Sequence, residues 1–127
     1  MTILPNLHDG FFDGVWLSAD KCARFFVRTA AGELSTIILT DVQALNICDL
    51  RAGNIIFDLV LIAPDKMTVK DIEQAYDLQS GDVDKAQQLL GKAQEQGLSG
   101  LEINASYGAE GITLFRAAAT VAGHVLD

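Results

Sequence analysis

With 127 residues, half of them hydrophobic and a fifth charged, the chain can bury about two thirds of its unfolded surface in one core, which argues against disorder. Seventeen acidic against nine basic residues leave a net charge of −8; such a field repels phosphate backbones, which argues against nucleic acid as a partner, and attracts a basic protein. The N-terminus has no basic leader and no apolar run approaches the roughly 18 residues of a membrane span, so the expectation is one cytoplasmic domain over residues 1–127 with no membrane partner.

The first motif is "NLHDGFFDG", Asn6 to Gly14. Gly10 and Gly14 bracket a first predicted strand, with Phe11 and Phe12 on opposite faces. Asp9 is expected to accept from the turn's backbone amides, with His8 bracing the same turn. After the "SADK" turn, Ala23, Phe25 and Val27 alternate with Cys22, Arg24, Phe26 and Arg28, the period of a half-buried strand. Gly32 supplies a hairpin loop before "LSTIILT", and breaks follow at Asp41 and at "DLRAGN", Asp49 to Asn54. In "IIFDLVLI", Ile55 to Ile62, both alternating sets are apolar except at Asp58. That pattern predicts a central strand covered on both faces, with Asp58 compensated by Arg24, Arg28 or Arg116.

The periodicity then changes. Thr68 and Asp71 form a capping-box pattern ahead of Val69, Ile72, Ala75 and Tyr76 at helical spacing. Asp82 is placed to cap a second helix with Val83, Ala86, Leu89, Leu90 and Ala93 as its apolar stripe and Gly97 at C′. "GLEINASYG" alternates as a strand, and "ITLFRAAATVAGHVL" is expected to form one long final strand. The predicted class is α+β, mostly β: an antiparallel β-sandwich or open barrel of about seven strands, with a two-helix insertion before the last two.

Chemistry-bearing motifs are sparse. His8 and His124 are the only histidines. The His8–Asp9 doublet lies in a turn and lacks the further helical histidines of metal-dependent phosphohydrolases. A zinc site drawn from His8, Asp9, Asp13, His124, Cys22 and Cys48 lacks the short ligand spacings such sites use, so no metal is predicted. Cys22 and Cys48, each in an apolar strand, are expected to be free, mostly buried thiols. There is no nucleophile elbow, phosphate loop or dinucleotide fingerprint, so no cofactor is predicted either. The candidates for catalysis are His8, Asp9 and Asp58, and they require convergence in one concave site.

Three segments, "LHDGFFDG", "GELSTIILTDVQALNICDLRAGNIIFDLVL" and "EINASYGAEGITL", resemble a group of uncharacterised bacterial proteins. Their shared pattern is an LHDG opening, a strand pair, a GNIIFD strand and a late SYGA turn. The likeness covers most of the chain except the helices. The matching residues are Leu7, His8, Asp9, Gly10, Gly53, Asn54, Asp58, Ser106, Tyr107 and Gly108. The opening is also similar, more distantly, to small β-rich immunity proteins of polymorphic toxin systems. That resemblance implies action by binding a toxin, for which an acidic charge would suit a basic nuclease. The leading expectation is therefore a non-enzymatic binding module engaging another protein or a second copy of itself. Its surface would be a sheet face carrying Phe11, Trp16 or Phe26. The alternatives are a small hydrolase or ligand-binding protein with a pocket around His8, Asp9 and Asp58, and a self-assembling structural protein with symmetric sheet contacts.

Overall fold

A computed structural model describes residues 4–79 and 81–126. Short alternating runs separated by turns give β1 (Phe11–Leu17), β2 (Ala23–Arg28), β3 (Leu34–Thr40), β4 (Ala44–Cys48) and β5 (Asn54–Ile62). A 3₁₀ turn at Pro64–Lys66, α1 (Val69–Ala75) and α2 (Val83–Glu95) follow, and β6 (Ser99–Tyr107), β7 (Glu110–Phe115) and β8 (Ala117–Ala122) close the chain. The expected long final strand is thus two strands, broken at Arg116 because the chain changes neighbours there: β7 pairs with β4 and β6, β8 with β3.

All the ladders are antiparallel, and the sheet order is β4-β7-β6-β5-β1-β2-β3-β8. That order cannot be flat. β3 and β4 stand six places apart, about 29 Å at the usual strand spacing, yet only Asp41–Gln43 joins them, a reach of about 14 Å. The sheet therefore folds over, and the ladder continues through the corner. The Arg116 amide donates to the Thr40 carbonyl at 3.0 Å and the Gln43 amide to the Leu114 carbonyl at 2.9 Å. One half, β1-β2-β3-β8, faces the other, β5-β6-β7-β4, and β1 bridges to β5 through Phe11–Ile55 and Phe12–Asn54. No ladder joins β4 to β8, so the sheet does not close into a barrel. The fold is α+β and mostly β, as the sequence pattern predicts.

The main core lies between the two halves and includes Phe12, Phe25, Val27, Ile37, Ile56 and Leu101. A second cluster forms where α1 and α2 lie on the outside of β7, with Ile72, Ala75, Ala86 and Ala93 against Ile112 and Leu114. The doubly covered strand is therefore β7, buried from Gly111 to Phe115, and not β5 as its apolar run suggests. On β5, Phe57, Val60 and Leu61 are 50%, 38% and 39% exposed. The helices choose β7 because its outward residues are large and apolar while Gly111 admits the Asn46 carbonyl of β4 in close approach, a space that any Cβ would fill.

Local signals fare well at α1, where Thr68 accepts from the Asp71 amide at 3.2 Å and Asp71 from the Thr68 amide at 2.9 Å. At α2, Asp82 occupies the N-cap position but its side chain makes no cap hydrogen bond. Gly97 takes the left-handed conformation expected just beyond the helix, at φ 70°. Cys22 is buried, but Cys48, ending the outermost strand β4, is exposed. Among the described residues no helix is long and apolar enough to cross a membrane.

Candidate functional site

The opening motif folds into a tight turn against β5. The Gly10 amide donates to the Leu7 carbonyl at 2.8 Å, and Leu7 is buried in the main core. Asp9 stands at φ 61°, its amide donating to the Ile56 carbonyl at 2.9 Å, and the Ile56 amide donates back to Gly10 at 2.9 Å. The His8 amide finds its acceptor in the Asn6 side chain at 3.2 Å, a role the sequence assigned to Asp9.

The His8 imidazole does not brace its own turn. The β5–β6 register passes over Phe57 between Ile56 and Asp58, a bulge that leaves the Phe57 carbonyl outside the ladder. His8 Nδ1 donates to that carbonyl at 2.8 Å, and the imidazole meets the Phe57 ring edge-on with centroids 5.3 Å apart. This bond fixes the proton on Nδ1 and turns Nε2 toward the exposed Asp9 carboxylate, 3.6 Å away. Asp58, meanwhile, accepts from Asn104 Nδ2 at 2.8 Å, and the same amide reaches Glu102 at 3.0 Å.

None of the three arginines proposed for Asp58 reaches it. Arg28 forms two hydrogen bonds to Asp13, Arg116 pairs with Asp41, and Arg24 lies over Trp16. Asp58 faces outward on an incompletely covered strand, half-buried and bonded to the Asn104 amide, so its burial does not demand a cation. The structure thus brings His8 and Asp9 side by side. No hydrogen bond or ion pair joins Asp58 to either, and none of the three lines the best-formed clefts, among the described residues.

The residue that ties the motifs together is Asn54, buried to 3% exposure. Its Oδ1 accepts from the Arg51 amide at 2.7 Å and the Ala109 amide at 3.0 Å, while Nδ2 donates to the carbonyls of Phe12 at 3.1 Å and Arg51 at 2.5 Å. All four bonding positions are filled, so one side chain joins the "DLRAGN" loop, β1 and the "SYGA" turn. Gly108, at φ 90°, lies so close to Oδ1 that any Cβ would collide with it. The signal available in sequence was an asparagine after glycine at the start of an apolar strand, which marks a turn but not its distant partners. Beside this knot, Asp49, Arg51, Ser106, Tyr107 and Glu110 line a polar cleft of about 300 Å³, with Arg51 over the Tyr107 ring at 5.5 Å.

The remaining candidate is the outer face of β1 and β2. A bulge at Asp13 shifts the β1–β2 register so that Phe11 opposes Arg28, Gly14 opposes Phe26, and Trp16 opposes Arg24. All of these residues share the face opposite the core residues Phe12, Phe25 and Val27. Arg28 lies 4.5 Å above the Phe11 ring and Arg24 5.3 Å above the Trp16 ring. Residues 123–126 cross one side of this face. There Thr36 Oγ1 donates to the Gly123 carbonyl at 2.7 Å and accepts from the Val125 amide at 2.9 Å, while His124 packs on Phe26. Trp16 remains 43% exposed, and Arg24 Nε is buried with no hydrogen-bond acceptor among the described residues. Chemically, such a surface offers an aromatic anchor and a guanidinium, groups suited to recognition rather than to bond cleavage.

Comparison of the chain with protein-family models, with curated proteins and with solved structures finds no match.

Proposed function

We propose that this protein is a non-enzymatic binding module that engages another protein through the outer face of β1 and β2. The observation that carries the reading is the placement of Phe11, Trp16 and Phe26 on one face, with Trp16 backed by Arg24 and uncovered by either helix. Tryptophan and arginine at the centre of a patch are the side chains whose burial most often dominates an interface. The acidic net charge supports a basic partner, since it would speed encounter without fixing the contact itself.

The test is site-specific photo-crosslinking in the native cell. A photoreactive residue at Trp16 is expected to yield one discrete adduct, whose mass distinguishes a second copy from a different protein. The same residue at Gln88, exposed on α2, should yield none. A chain that crosslinks nowhere on the β1–β2 face, or equally at both positions, would overturn the proposal.

A further inference from the structure

We infer that the outer edge of β5, from Asp58 to Ile62, accepts an extended segment of another protein in which basic and apolar side chains alternate. This surface is separate from the β1–β2 face and does not depend on it. β5 is hydrogen bonded to β6 from Ile55 to Ile62, but along its other edge it meets β1 only at Asn54 and Ile55. The turn then takes Ile56, and His8 takes the Phe57 carbonyl. From Asp58 onward that edge has no backbone partner among the described residues.

Exposed edges are commonly blocked by lysine, by proline, by a bulge or by a covering element, and on β5 the Phe57 bulge lies ahead of the free stretch, not within it. "DLVLI" contains neither residue, whereas the edge of β4 is tied to α1 by Asn46 Nδ2 donating to the Gln74 carbonyl at 2.6 Å. An unblocked edge is the feature that strand addition uses: main-chain bonds supply affinity and the alternating side chains supply selection.

The alternation on β5 states the selection. Leu59 and Leu61 stand opposite the core residues Ile103 and Leu101, on the inner side. Leu61 also lines, with Phe115 and Arg116, a cleft of about 410 Å³. On the outer side Asp58 and Val60 oppose Asn104 and Glu102. The carboxylates of Asp58 and Glu102 share the single Asn104 amide, and neither has a cation within ion-pair distance among the described residues. A strand added here meets apolar surface with one set of side chains and two uncompensated negative charges with the other, in a protein of net charge −8. Lysine or arginine alternating with aliphatic residues fits both sides; glutamate in the basic positions meets repulsion.

The experiment titrates the full ¹⁵N-labelled chain with a capped octapeptide alternating lysine and valine, kept at concentrations where the peptide is monomeric. A second octapeptide carries glutamate for lysine. The expected result is saturable shifts confined to β5 and β6 with slowed amide exchange at Asp58–Ile62, and no response to the glutamate peptide. D58N and E102Q should each weaken binding about threefold and together about tenfold, the scale of exposed ion pairs. Val60→Lys, which places a like charge on the edge and keeps both carboxylates, should also weaken it, while Trp16→Ala should leave it unchanged. No saturable binding, equal binding of the two peptides, or shifts mapping to β1 and β2 would overturn the inference. The last of these outcomes would leave the β1–β2 proposal standing, so failures of the two are distinguishable.

Discussion

The outer surfaces of β7 and β2 are finished in opposite ways, although both strands send their other face into the same core. On β7 the outward side chains are Ile112 and Leu114, sealed beneath Ile72, Ala86 and Ala93 of the helices. On β2 they are Arg24, Phe26 and Arg28, and each meets one ring: Trp16, His124 and Phe11 respectively. The first surface gains from area removed from water, about 25 cal/mol for each Å². The second rests on single stacking contacts and on a solvent-screened Asp13–Arg28 ion pair, each of which contributes little. A face held by small local terms can exchange them for a partner's contacts at little cost, whereas the helix-covered face cannot be opened without losing core.

The strongest test addresses the seam that both halves share. Asn54→Ala strips acceptors or donors from Phe12, Arg51 and Ala109 at once, and is expected to cost about 4 kcal/mol in equilibrium chemical denaturation. A cost below about 1 kcal/mol would mean that water replaces the side chain and that the knot does not hold the halves together. Next in size is the contrast between the faces themselves. Leu114→Ala, beneath the helices, should cost about 3 kcal/mol, and Trp16→Ala, on the open face, less than about 1 kcal/mol. Equal losses would break the distinction, because Trp16 would then be core and unavailable to a partner.

Much of this division was legible in the residues, for physical reasons that differ from strand to strand. β2 declared itself because one set of its side chains is polar enough to mark the open face. The Thr68–Asp71 box declared the start of α1 because both of its bonds are local. β5 misled because an apolar run reports the capacity to be covered, not the presence of a cover, and the helices settle on β7 instead. The break at Arg116 was hidden by continuous strand propensity, since only the folded sheet makes β7 and β8 choose different partners. At the candidate site, the sharing of one face by Phe11, Trp16 and Phe26 depends on the Asp13 bulge, which shifts register by one residue, and no composition signal announces it. His8 and Asn54 were visible as turn residues, but their partners lie far along the chain, at Phe57 and Ala109.

The smallest predicted effect asks whether the Arg24 guanidinium is still available at the open face. Asp20, in the turn between β1 and β2, has its carboxyl held below the ordinary value of 3.8, first by the Ser18 hydroxyl that donates to it and last by the charge of Arg24. Because the fold favours the ionised form, this contribution is complete above pH 3.8 and is lost as pH falls through the lowered folded value. Carboxyl NMR titration should therefore show Asp20 moving up toward 3.8 in Ser18→Ala, and moving less in Arg24→Ala. The reverse order would mean that Arg24 already serves Asp20 as its main counter-charge. Its positive end would then belong to the hairpin, and Trp16 would be left to anchor the β1–β2 face without the cation that the proposed interface uses.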